Sequence, residues 1–455
     1  MPIIPIDTGR YGTQEMRKVF EEESRLQRLL DVEAALAWAQ AQVGEIQKKD
    51  ANRIIRMASI KYVKLNHVKE IEHKIQHDFM AIVQALAEVC GPSGAYVHLG
   101  ATSYDIEDTA LALQLKDAFA IIERRLNDLE YTLMKLAEKH KETIMIGRTH
   151  GQHALPITLG LKFAVWMREV SRHIDRLRQC RERVLVGKMT GAVGTQAGFG
   201  PQASEIQKLV MERLGLRPVE VSTQIVQRDR HAEMVCLFAV IASSLDKFAT
   251  EIRELQRPEI GEVAEVFESE QIGSSTMPHK RNPMTCERIC GLAKVMRSLV
   301  LPALENVPTW HERDLTQSSA ERFIIPEACI LLDYMLVLMK TVLSKLQVNK
   351  KQMLKNLNLT QGRAMSEAVM LTLARKGLGR QEAYNLIRQL VFKSEVEKRP
   401  LREVLLSDPT VSKILKPKEV DAVLNPYNYL GTTVKQIMLA IKTTRKERET
   451  REKLR

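Results

Sequence analysis

Residues Leu115 to Leu136 read Leu-Lys-Asp-Ala-Phe-Ala-Ile-Ile-Glu-Arg-Arg-Leu-Asn-Asp-Leu-Glu-Tyr-Thr-Leu-Met-Lys-Leu. Leu115, Phe119, Ile122, Leu126, Leu129, Leu133 and Leu136 recur at alternating spacings of four and three, the seam of a helix with one apolar face. No proline stands between Thr102 and Leu155, so the pattern predicts one long helix. Ile241, Leu245, Phe248, Ile252 and Leu255 repeat the rhythm until Pro258 stops it. Leu29, Val32 and Leu36 mark a shorter helix near the start. After about Val348 short helical patterns are broken by Gly377, Gly379, Pro400, Pro409, Pro417 and Pro426. Strand-like alternation is scarce. The expected fold is all-α in three helical domains: residues 1–107, a central bundle of long helices at 108–346, and residues 347–455.

The length of the first helix has a consequence. From Leu111 to Lys139 it would span about 43 Å at 1.5 Å per residue. Two polar stretches flank it: His98-Leu-Gly-Ala-Thr-Ser-Tyr-Asp-Ile-Glu-Asp-Thr109 before, and Gly147-Arg-Thr-His-Gly-Gln-His153 after. They cannot meet within one chain, so a site using both needs another subunit. Long apolar seams are also surfaces through which helices associate, and a homo-oligomer with shared sites is expected.

Composition fits this reading. Apolar residues make up 44% of 455 and charged residues 27%, while aromatics are only 5% and strong helix formers abound. The net charge of +12 is spread out, apart from +4 carried by Ile441 to Arg455, which reads as a solvated helix end. No zinc-finger spacing, RNA-binding signature or aromatic-interleaved basic run accompanies the charge, so no nucleic-acid partner is expected. Acidic small molecules are the expected partners. The six cysteines form no Cys-x-x-Cys pair and read as reduced thiols. No leader pattern and no long apolar run is present, so a cytoplasmic protein without membrane contact is expected.

The most informative polar stretch is Gly273-Ser-Ser-Thr-Met-Pro-His-Lys-Arg-Asn-Pro283. Lys280 supplies a point charge and Asn282 amide donors, and a glycine-started loop can aim backbone N–H groups at developing negative charge, a set suited to a dicarboxylate held against a hydroxyl. His73 and His77 lie one helical turn apart, which could suit a metal. That spacing is equally common on a solvated helix, and no glutamate occupies the metalloprotease position. Neither metal nor cofactor is expected.

The eleven residues from Gly273 resemble, without a gap, the signature of the fumarase/aspartase (fumarate lyase) superfamily. Together with Gln76-His77-Asp78, His98 to Thr109, Arg148-Thr-His150, Ser222-Thr-Gln224 through His231, Trp310 to Asp314 and Ser318 to Arg322, they resemble its adenylosuccinate lyase branch, in order from about Arg10 to Arg322. The resemblance implies an all-α homotetramer with sites built from several subunits. It also implies a metal-free β-elimination of fumarate from adenylosuccinate, giving AMP, and from the succinyl-aminoimidazole carboxamide ribotide of purine synthesis. Carried onto this chain, it makes Ser274 the general base and His150 the general acid, with His77 and Lys280 supporting. Substrate positions fall on Arg10, Tyr11, Gln76, Asp78, His98, Thr102, Ser103, Gln224, Asn282, Arg288, Arg313, Ser318 and Arg322. A carboxymuconate cycloisomerase is the nearest alternative, against which His150 argues.

Overall fold

The computed structural model describes residues 4–267, 270 and 274–453. Helix accounts for 71% of the chain, in agreement with the all-α expectation. The longest helices are Ser103–Lys139, Leu159–Val184, Asp229–Gln256 and Thr316–Ser344.

The first predicted seam lies in the unbroken 37-residue helix Ser103–Lys139. Leu115, Phe119, Ile122, Leu126, Leu129 and Leu133 are each at most 1% exposed, and so are Ile241, Leu245, Phe248 and Ile252 of the second seam. Read from sequence as a surface for association, the first seam is instead buried within the single chain. Each of these side chains contributes about 1.5–3 kcal/mol by leaving water. The helix starts where Asp105, in its first turn, accepts a hydrogen bond from the Thr102 N–H at 2.8 Å, half of a capping box. Just past its end, His140 O accepts from the Gly160 N–H at the start of helix Leu159–Val184, at 2.9 Å. A Cβ on Gly160 would come within 2.6 Å of Lys141 N and 2.7 Å of Ala137 O, so only glycine allows that approach.

The contacts divide the chain into two units. The first comprises Met1–Asn127, His173–Asp246 and Ile289–Leu338. Its principal core gathers helices Glu22–Gln42 and Asp78–Cys90 with the start of helix Ser103–Lys139, around Leu29, Leu36, Phe79 and Leu86. The second comprises Asp128–Arg172, Lys247–Arg288 and Met339–Arg455. In it Trp166 stacks on Phe248 with ring centroids 4.7 Å apart, and a separate apolar cluster around Leu373, Leu401 and Leu405 forms the core of its C-terminal part.

Two features of the second unit depart from expectation. Residues Ile144–Thr149 and Gln152–Thr158 form an antiparallel hairpin, with a register shift between Ile146 and Arg148. The basic tail is solvated on one face only, with Lys442, Arg445, Lys446 and Lys453 exposed. In helix Thr433–Lys453, Ile441 and Thr444 are fully buried and Arg451 is 5% exposed. Arg451 and Arg448 donate to Glu130 Oε2 at 2.5 and 3.0 Å, and Ser171 donates to Oε1 at 2.6 Å. Arg168 grips Glu447 through two hydrogen bonds of 2.6 and 2.8 Å. Glu130 is completely buried, so its charge requires these guanidinium partners, and the requirement draws a basic segment inward.

Removing one partner of this buried carboxylate is costly. Arg451→Ala is expected to lower the unfolding free energy by about 3 kcal/mol, read as a reduced urea midpoint. An unchanged midpoint would show that the clasp contributes nothing.

Candidate active site

The first unit carries an open cleft of about 760 Å³. Seven of the expected site residues line it: Gln76, His77, Asp78, Ser103, Arg313, Ser318 and Arg322. The first three form a corner between helices Leu65–Ile75 and Asp78–Cys90. Gln76 ends the earlier helix in the left-handed region, at φ 54°, and His77 caps the later one by accepting from the Met80 N–H through Nδ1 at 3.3 Å. That bond occupies Nδ1 and leaves Nε2 as the ring atom available to a ligand. Asp78 pairs with Arg322 and accepts from the Phe79 N–H at 2.8 Å. Burial pushes its carboxyl up, but the bonds from Arg322 and Phe79 outweigh this and hold it below its ordinary value.

Helical periodicity sorts the motif residues by face. On helix Ser103–Lys139, Ser103, Tyr104 and Glu107 line the cleft, whereas Asp105 and Asp108 serve as buried anchors. Asp105 meets Lys188 at 2.5 Å, both fully buried, and also accepts from the backbone of Thr190 and Gly191. Asp108 takes two hydrogen bonds of 2.9 and 3.0 Å from Arg228, which also pairs with Glu321. On helix Thr316–Ser344 the cleft receives Ser318, Ser319 and Arg322, and Glu321 faces Arg228 instead. Side chains three or four residues apart share a face, so one short motif supplies both a wall and its anchor.

The other expected residues stand elsewhere. His98, at φ 63°, gives its Nδ1 to Glu33 Oε1 at 2.8 Å and lies against Phe79. Burial lowers its pKa, the Glu33 charge and hydrogen bond raise it, and the net effect is upward. Thr102 precedes the helix and is held through its N–H. Gln224 accepts from Arg313 at 2.9 Å and donates to Ala192 O at 2.7 Å, steadying the guanidinium that lies 3.9 Å over the Tyr104 ring. Arg10 lies beside Tyr11, whose ring faces Tyr334 at 6.0 Å.

In the second unit, His150 and Gly151 are the two loop residues of the hairpin, at φ 52° and 73°. Both are left-handed, as a two-residue type I′ turn requires, and histidine there is strained. The hairpin is anchored by Arg148, which donates to both oxygens of fully buried Glu262 at 2.8 and 2.9 Å. His150 is exposed at the tip. In the signature loop, half-buried Ser274 accepts through Oγ from the backbone N–H groups of Thr276, at 3.3 Å, and Met277, at 3.1 Å. Lys280 is exposed, and Asn282 and Arg288 are partly buried. Gly273 lies outside the described residues.

Residues 9–297 match a family model described as Lyase, and residues 362–438 match one described as Adenylosuccinate lyase C-terminus. The chain is 56% identical to the adenylosuccinate lyase of Pyrococcus abyssi, over 95% of each chain. The chain belongs to the adenylosuccinate lyase family. The relative from Methanocaldococcus jannaschii is 49% identical, over 98% of this chain and 97% of that one. Among solved structures, a 3-carboxy-cis,cis-muconate lactonizing enzyme from Pseudomonas putida superposes with a TM-score of 0.90 at 34% identity, covering 98% of this chain and 100% of that one. The fold is therefore shared with cycloisomerases, and the C-terminal family match and the higher identities single out the adenylosuccinate lyase family. That C-terminal segment carries no motif legible in the sequence.

Glu107 is a cleft residue that motif reading passed over; Arg25, 3.4 Å away, is its nearest cation. Burial pushes its carboxyl up, Asp78 and Asp108 add to this while Arg25 and Arg322 oppose it, and the result is about 7 against an ordinary 4.5. Between those values the folded state binds more protons than the unfolded state, so stability falls as pH rises through the window. The penalty is complete above pH 7, at about 3 kcal/mol. Glu107→Gln is expected to unfold like the parent near pH 4.5 and to resist urea better at pH 8. Equal urea midpoints at pH 8 would refute this account of Glu107.

Proposed function

We propose that this chain releases fumarate from adenylosuccinate, leaving AMP, and from the succinyl-aminoimidazole carboxamide ribotide, with Ser274 as general base and His150 as general acid. The observation that carries the base assignment is the pair of backbone N–H groups, from Thr276 and Met277, already donating to Ser274 Oγ. A serine hydroxyl is a weak base, and N–H donors aimed at its oxygen favour the alkoxide that must take the proton. The abstracted proton leaves carbon beside a carboxylate, so charge grows on oxygens already negative and cations must be fixed in advance. Lys280 and Asn282 follow the serine on the same loop, and Arg313 and Arg322 supply guanidinium groups in the cleft. His150 delivers the proton that the departing purine nitrogen needs, a task suited to imidazole near neutral pH. His77 orients substrate through Nε2.

We read the complete site as shared between subunits of a homotetramer. Helix Ser103–Lys139 covers about 55 Å, with Ser103 of the cleft at its start and the His150 hairpin after its end. Val240, Val295 and Phe323 stand 49%, 44% and 68% exposed on long helices, the kind of apolar surface that a partner covers.

Ser274→Ala and His150→Ala are each expected to lower kcat for adenylosuccinate roughly 10²–10⁴-fold, measured as fumarate release. A fully active Ser274→Ala enzyme would sink the base assignment. Mixing the two inactive proteins under conditions of subunit exchange should restore part of the activity; no recovery after verified exchange would count against a shared site.

A further inference from the structure

The second unit holds a cavity of about 440 Å³ lined in part by Lys139, His140, Asn349, Lys350 and Lys351. A neighbouring one of about 340 Å³ shares Lys139 and Lys350 and adds Lys141. None of the residues lining the substrate cleft takes part. Three observations converge here. Among the described residues, Lys139, Lys141, Lys350 and Lys351 have no carboxylate partner, and Glu142 is the one acid lining either cavity. Lys350 and Lys351 open the nine-residue helix Lys350–Asn358, whose first turn contains no acid. Helix N-termini carry partial positive charge and favour acidic side chains, so two lysines there place like charge on like. Finally, His140 is 2% exposed, lines the larger cavity, and has no hydrogen-bond partner at Nε2.

We propose that this cavity binds a phosphate group, free or as part of a phosphoester, at a site separate from the substrate cleft. Asn349 Oδ1 already accepts from the Gln352 N–H at 3.1 Å, so the N–H groups of Lys350 and Lys351 are the ones this helix N-terminus offers to a tetrahedral anion, and the lysine side chains add mobile point charges. His140 supplies a directed donor: Thr143 Oγ1 lies 3.1 Å from its Nδ1, and with that hydroxyl donating, the ring hydrogen sits on Nε2. Burial, then the charges of Lys139 and Lys350, hold the ring down at about 4, so at neutral pH it donates as a neutral group. An anion placed among these residues balances the lysines, and a small shift of the His140 ring, whose Nε2 is covered in this structure, would let it donate to that anion as well.

The test is calorimetric titration of inorganic pyrophosphate into the full-length protein at fixed ionic strength. An Arg322→Ala background is used so that binding at the substrate cleft does not contribute. One site per chain is expected, weakened at least tenfold by Lys350→Gln/Lys351→Gln and also by His140→Phe, which leaves every lysine in place. The lysine substitutions lie outside the proposed machinery and should leave fumarate release from adenylosuccinate unchanged, so this result stands or falls apart from the assigned activity. Absence of binding, binding unaffected by the lysine pair, or loss in the lysine pair with none in His140→Phe would overturn the proposal, the last by reducing it to unspecific charge.

Discussion

The first turns of helix Ser103–Lys139 are held by two buried acids. Asp105 on Lys188 and Asp108 on Arg228 put four charged groups out of water, a loss of solvation that only close geometry offsets. Backbone N–H groups of Thr190, Gly191 and Val226 complete the shells of both carboxylates. Rotation of the helix by one residue would break both pairs. The rotation they enforce is the one that turns Ser103, Tyr104 and Glu107 toward the cleft.

A second constraint is backbone strain at the chemically important turns. Gln76, His98 and His150 have φ of 54°, 63° and 52°, a region that side chains other than glycine occupy at a cost of about 1–3 kcal/mol. Each is fixed by neighbours: Gln76 donates to His73 O at 2.8 Å, His98 is paired with Glu33, and His150 rides on a hairpin pinned through Arg148 and Glu262. At His150 the sharp turn leaves the imidazole exposed at the hairpin tip, and at Gln76 it makes the corner that puts His77 in the cleft, whereas His98 is turned inward onto Glu33 and Phe79.

Charge in this chain divides by place rather than by amount. Of the C-terminal arginines, which resemble an exposed basic tail, Arg448 and Arg451 are consumed by Glu130 and Arg445 pairs with Glu138, while the tail's own Glu447 holds Arg168. Among the described residues, Lys139, Lys141, Lys350 and Lys351 have no such partners. Equal charge density along a sequence thus hides opposite situations, because what a cation does depends on which carboxylate the fold brings within about 4 Å.

The heptad rhythm of Leu115 to Leu133 and the gapless signature from Gly273 determined, without coordinates, a long-helix fold and the family's chemistry, since both are patterns of short sequence range. Only the tertiary structure decided what those residues face. It buried the seam within one chain and turned His150 into a hairpin tip. It also split the motif around Ser103 into cleft wall and anchor, and put Glu107 in the cleft beside Arg25. Such outcomes rest on pairings between residues tens to hundreds of positions apart, Asp105 with Lys188 or Glu130 with Arg451. Local periodicity tells which face of a helix is apolar but carries no record of the distant partner that makes a buried charge tolerable.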